Sequence, residues 1–223
     1  MAKQETITVE CPNCGEECRV KPAPAIKHDD EKTLKKLFEG TLNKFTCKAC
    51  GIPFALTRPL VYKDWESVFI AYYVDLPDNA DLQTFEQEID VMATDVFQAE
   101  NLPRPTVRLT VTLPDFIEKI ILHRMGLDDR LIEFAKHQLF KNLGEDKLNP
   151  SEHRLLIDFS NKDEDKLAFI IYDRETNQPI SALHVPKAEF DSLVKEFTEN
   201  EQLLAELDTL FPSCYVSVER LFG

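Results

Sequence analysis

The polar and apolar positions of this chain change period several times, and each change marks an element. Residues 6–10 (Thr-Ile-Thr-Val-Glu) alternate and predict a strand, a turn follows, and a second strand ends before Pro22. Residues 29–39 predict a short helix, capped by Asp29 or Asp30 and ended by Gly40. Residues 44–46 lead into another turn, after which 53–62 and 67–74 predict strands of one small sheet. Residues 79–99 predict a helix whose apolar stripe is Leu82, Phe85, Ile89, Met92 and Val96, expected to pack in the core. A rigid connector, Asn101-Leu102-Pro103-Arg104-Pro105, precedes a strand at 106–112 and helices at about 114–125 and 128–143, ended by Gly126 and Gly144. Residues 144–153 are mostly polar and hold Pro150, so the expected boundary separates 1–144 from 145–223. Strands are expected near 154–159, 166–172 and 179–184, then a helical stretch over 187–210 and a last strand near 213–220. The pattern is that of an α+β protein.

Two turns carry the clearest chemistry. They read Cys11-Pro12-Asn13-Cys14-Gly15 and Cys47-Lys48-Ala49-Cys50-Gly51. Two residues between thiolates let one tight turn present both sulfurs to one tetrahedral ion. Glycine after the second cysteine supplies a positive φ without a steric cost. The turn then aims backbone N–H groups at the sulfurs and spreads their charge. The gap between the pairs is 32 residues, beyond the common spacing of about 15–20. The helix at 29–39 fills it as an insertion. Cys11, Cys14, Cys47 and Cys50 are thus the expected metal ligands of an N-terminal zinc ribbon. Four thiolates leave no open position, which favours one structural Zn²⁺, with rubredoxin-like iron as the minor alternative. Thiol–disulfide exchange is disfavoured, because each pair is taken up by metal and nothing resembles a thioredoxin βαβ unit.

Composition narrows the rest. Of 223 residues, 43% are apolar and 30% charged, enough for a globular core. The start, Met1-Ala2-Lys3-Gln4-Glu5, does not read as a targeting signal, and no apolar run approaches the roughly 20 residues of a membrane helix. A cytoplasmic protein with no membrane partner is expected. The net charge of −14 opposes nucleic-acid binding by the whole molecule. Residues 1–63 nevertheless carry 11 Lys+Arg against 8 Asp+Glu, whereas 64–223 carry 15 against 32. The mildly basic segment keeps a nucleic-acid-binding regulator as an alternative; Arg19, Lys21, Lys27, Lys32, Lys35, Lys36 and Lys44 would serve it.

The first cysteine turn and the stretches Gly40-Thr41-Leu42-Asn43-Lys44-Phe45-Thr46-Cys47 and Pro59-Leu60-Val61-Tyr62-Lys63-Asp64 resemble the prokaryotic CpXC family, named for its Cys-Pro-x-Cys pair. The segments Leu113–Ile120 and Gly126–Glu133 are similar to it too. The match covers roughly residues 6–75 and 106–140. The second pair here lacks the proline, which donates nothing to a metal. The resemblance implies a prokaryotic source and a zinc site, and brings no activity.

Other residues read as structure. Cys18 is expected on a ribbon strand and Cys214 in the core. His28, His123, His137, His153 and His184 stand near no nucleophile in a recognisable order. Asp128-Asp129-Arg130 with Glu133 opens a helix, so these acids read as caps rather than a metal cluster. Asp163-Glu164-Asp165 reads as a turn, and its likeness with Asp158 and Lys166 to an acid-x-Lys nuclease pattern fails on position. Tyr62, Trp65, Phe69, Tyr72 and Tyr73 read as core rather than a stacking strip. No catalytic residue is identified. The expected function is a structural zinc protein acting as an interaction or adaptor module, with a protein partner or a second copy of itself. An enzyme whose acids meet only in the fold remains the other alternative.

Overall fold

Hairpins form around both cysteine turns in the computed structural model, which describes residues 5–23, 25–77 and 80–222. The chain divides into two compact units, Met1–Ile117 and Glu118–Gly223, so the division falls at 117/118 and the polar stretch 144–153 lies inside the second unit.

In the first unit, β1 (Ile7–Glu10) and β2 (Glu17–Val20) pair antiparallel, Ile7 opposite Val20. β3 (Ala25–Lys27) leads to α1 (Glu31–Phe38), whose cap is Asp30; its side chain accepts from Thr33 N–H. α1 ends where Gly40 takes φ +62°, and its buried face is Leu34 and Leu37. β4 (Lys44–Thr46) and β5 (Pro53–Ala55) make the second antiparallel hairpin. β6 (Leu60–Asp64), β7 (Phe69–Tyr73) and, after α2 (Leu82–Gln98), β8 (Thr106–Thr110) join β3 in a mixed sheet of order β3-β6-β7-β8. Only β6 and β7 run antiparallel there.

The expected strand 53–62 is therefore two strands in two sheets. Pro59 has no N–H to donate, and the chain leaves one ladder before it enters the next. β7 is buried at all five positions, as a central strand covered on both faces must be. This accounts for the aromatic cluster: Tyr62, Phe69, Tyr72 and Tyr73 are core, and Trp65 packs its ring 4.6 Å from that of Phe97. On α2 the buried face is Glu86, Ile89, Ala93 and Phe97. The expected stripe shares Ile89 with it, but Met92 is exposed. Residue 79, the expected helix start, lies outside the described residues, and Asp81 is the observed cap.

α3 (Leu113–Arg124) crosses the division between the units. In the second unit, α4 (Asp129–Leu143) is capped by Asp128, whose carboxylate accepts from Arg130 N–H. β9 (His153–Ile157), β10 (Lys166–Asp173) and β11 (Pro179–Pro186) form an antiparallel sheet of order β11-β10-β9. The expected single helical stretch is broken into α5 (Lys187–Glu199) and α6 (Glu201–Leu210). Asn200 is extended between them, and its side chain accepts from Gln202 and Leu203 N–H. The expected last strand does not form. Residues 218–221 make a 3-10 turn capped by Ser217, and Val218 N–H is bonded to the Glu133 carboxylate rather than to a strand. Cys214 is buried, as are its neighbours Tyr215 and Val216. No helix of the described residues is long and apolar enough to cross a membrane.

Candidate metal centre

The two cysteine turns have one geometry. Cys11 N–H donates to Glu16 C=O at 2.9 Å, and Gly15 N–H donates to Cys11 C=O at 2.9 Å. In the second turn Cys47 N–H donates to Ile52 C=O at 3.0 Å, and Gly51 N–H donates to Cys47 C=O at 2.9 Å. Gly15 and Gly51 sit at φ +73° and +74°, where any other residue would be strained. Each hairpin thus raises two sulfurs from one tight loop, and β1–β2 and β4–β5 bring the loops face to face.

The four sulfurs, Cys11, Cys14, Cys47 and Cys50 Sγ, all lie within 4.8 Å of one another. Cys11 and Cys50 Sγ are 3.7 Å apart, and so are Cys14 and Cys47 Sγ. A tetrahedral ion with metal–sulfur bonds of about 2.3 Å would hold its sulfurs about 3.8 Å apart. The donor set fits such an ion. Cys11 and Cys47 are buried, Cys50 is half-buried and Cys14 is exposed.

Electrostatics point the same way. Four thiols this close cannot all ionise without a cation. The Cys50 and then the Ala49 backbone N–H groups favour the Cys47 thiolate against burial and bring that thiol down to about 6. At Cys14 the Glu16 N–H also favours the thiolate, but the shared hydrogen bond with Cys50 and burial prevail and push it up to about 12. A divalent ion would remove this conflict by replacing protons.

Cys18 stands on β2 opposite Val9, with its thiol directed to Glu16 C=O at 3.7 Å. Burial, then the neighbouring Cys47 thiol, push it up. It is a fifth thiol close to the four without being one of them. No histidine joins the cluster among the described residues. His28 faces Asp64 and Glu66, at 3.6 and 3.5 Å. His137 packs its ring, tilted, against that of Phe222, and His153 Nδ1 accepts from Asn149 N–H. Asp158 accepts from Ser160 N–H, and Asp163 pairs with Lys166 across an exposed turn.

A second cluster in the 118–223 unit was not visible in the sequence. Glu118, Lys119, Asp129, Glu133 and Lys136 are all buried charged residues. Glu133 Oε1 accepts from Lys119 Nζ at 2.9 Å and from Lys136 Nζ at 3.0 Å, while its Oε2 accepts from Val218 N–H at 2.9 Å. Lys119 also pairs with Asp129 at 3.0 Å; Lys136 bonds Glu118, whose other oxygen accepts from Ile157 N–H at 2.7 Å. Burial drives the Glu118 carboxyl up, against the pull of Lys136. Glu133 is buried as deeply, yet its two lysines overcome that and hold it below the usual carboxylate range. Asp128 caps α4 and Asp129 lies in its first turn, as expected, but the burial of Asp129 and Glu133 against lysines was not expected. Acids at helical spacing near lysines look the same whether the helix face is wet or dry.

The family profile described as CpXC protein matches residues 9–136. The chain belongs to the CpXC family. The matched span opens just before Cys11 and closes on Lys136, so it holds both cysteine turns and all five residues of the buried ionic cluster. No curated protein and no solved structure matches the chain.

Proposed function

We propose that Cys11, Cys14, Cys47 and Cys50 bind one Zn²⁺ ion that staples the two N-terminal hairpins, and that this CpXC protein works as a cytoplasmic interaction or adaptor module. The supporting observation is the four sulfurs within 4.8 Å of one another on two matching turns. Four thiolates complete a tetrahedral shell and leave no position for a substrate. The ion would supply charge balance and a cross-link. It would tie β1–β2 to β4–β5 across the insert that carries β3 and α1, a loop whose closure is otherwise entropically costly.

The adaptor role is supported by this closed donor set and by the strong acidity of residues 64–223, which suits a basic face on a protein partner. A second copy of the chain is the alternative occupant. Elemental analysis of protein purified without added metal should give one zinc per chain, with Cys11, Cys14, Cys47 and Cys50 shielded from thiol reagents until a chelator is added. Metal-free protein with all four thiols freely reactive would refute the zinc proposal; one iron per chain would replace the ion. Cross-linked capture from the native cells tests the adaptor role, and a turnover abolished by a single side-chain substitution would overturn it.

A further inference from the structure

Behind the second hairpin of the first unit lies a cavity of about 140 Å³ that the metal centre does not use. Its walls are mostly apolar, chiefly Leu37 from α1, Leu42, Leu56, Leu60, Tyr73 and Leu113, with Asn43 and Thr57 beside them. Arg58 and Lys44 also line it, and no carboxylate does. Burial, and then Asp75, push the Tyr73 phenol up, but Asp75 is not part of the lining. Arg58 Nε is buried and has no hydrogen-bond partner among the described residues. Buried polar groups are nearly always satisfied, so an orphaned guanidinium nitrogen at a cavity wall is a place where an acceptor belongs.

We propose that this cavity binds a small monocarboxylic acid whose body is one aromatic ring or a short branched chain. Three observations select that class. The volume suits one ring, since a cavity of roughly 150 Å³ takes benzene. The leucine-rich lining takes an apolar body, and the two cations without a matching acid select an anionic head. A guanidinium receives a carboxylate through paired N–H groups, and an apolar surround strengthens that contact. Mono- and dinucleotides are too large for the space.

The wall is well held. Asn43 Oδ1 accepts from Ala23 N–H at 2.8 Å, and Leu56 N–H donates to Asn43 C=O at 3.0 Å. The Leu56 bond holds the Leu42–Lys44 and Ala55–Arg58 segments together and the Ala23 bond anchors Asn43 to the preceding strand-to-strand connection, so little ordering accompanies binding.

The test is an amide NMR titration of the full-length protein with benzoate, and in parallel with benzyl alcohol as its neutral counterpart. Benzoate should give saturable shifts centred on Leu42, Lys44, Leu56, Arg58 and Leu60, with a millimolar or tighter Kd. Benzyl alcohol should bind about tenfold more weakly or worse, the factor a charged hydrogen bond carries. Arg58→Met should weaken benzoate by a similar factor and leave benzyl alcohol unchanged, and Ala55→Leu, which fills the space, should abolish both. Amide dispersion reports whether each variant is folded; if Arg58→Met is not, Lys44→Met and Ala55→Leu carry the comparison. The proposal fails if benzoate does not saturate by about 20 mM, if benzyl alcohol binds equally well, or if the folded variants bind like the parent. Zinc content measured on the same samples separates these outcomes from failure of the metal proposal.

Discussion

Replacing Glu133 by glutamine removes one charge and almost no volume, so it isolates the electrostatics of the buried ionic cluster. Glu133 is its hub. Its carboxylate accepts from Lys119, Lys136 and the Val218 N–H, and all three side chains are nearly inaccessible. A glutamine oxygen can keep either the two lysines or the Val218 N–H, and its amide hydrogens then face the donor it has lost. Removing one partner from a buried ion pair costs about 3–5 kcal/mol, because the remaining charge stays in a medium that solvates it poorly. For a unit of roughly 100 residues, 3 kcal/mol alone lowers Tm by about 12 °C or more. Glu118→Gln should cost less, about 1.5–3 kcal/mol. Its oxygen can still accept from Ile157 N–H, and burial already drives the Glu118 carboxyl up toward its neutral form, so a neutral amide changes less there than at Glu133, which its two lysines hold ionised. Urea unfolding by circular dichroism gives the two stabilities, and hydrogen exchange at the Val218 and Ile157 amides places the damage. Equal costs, a reversed order, or a Glu133→Gln loss under about 1 kcal/mol would show that water reaches the cluster and that the reasoning is wrong.

Three more outcomes follow from the same geometry. Cys47→Ser should abolish stoichiometric metal and disorder both hairpins, whereas Cys18→Ser should keep one equivalent; metal analysis with N-terminal amide spectra distinguishes them, and metal loss in the Cys18 variant would make that thiol a ligand. His137 is held below its ordinary pKa by burial and then by Lys141, so the unfolded chain takes up this proton first and stability falls as pH drops through about 6.5; urea midpoints at about pH 7.5 and 5.5 should differ, and less so in His137→Gln. Asn200→Ala removes the cap between α5 and α6 and should cost about 1 kcal/mol, read as a drop in Tm of several degrees.

Local chemistry made much of this protein legible before its fold was known. The Cys-x-x-Cys-Gly turns need only a few adjacent residues to specify their shape, so their geometry follows from spacing and a glycine φ. Asp30 and Asp128 announce helix starts by the same local logic, and Gly40 announces an end. The errors share the opposite cause. Residues 213–220 are apolar enough for a strand, but whether they become one depends on who accepts the Val218 N–H, and the acceptor, Glu133, is 85 positions away. Residues 53–62 read as one strand because alternation does not say which sheet each half will join. On α2, the expected stripe and the buried face share Ile89 but part at Met92 and Ala93, adjacent residues about 100° apart on the helix, and only the packing partner decides between them.

What the sequence determined by itself was the α+β class, the paired cysteine turns and the ends of most elements, because each depends on contacts within a few residues. Tertiary structure alone decided that four sulfurs from loops 32 residues apart meet within 4.8 Å. It alone sent Glu118, Lys119, Asp129, Glu133 and Lys136 into the interior, and set Arg58, its Nε without a partner among the described residues, in the wall of a mostly apolar cavity. Burial is a property of what covers a side chain, and the covering residues come from distant parts of the chain.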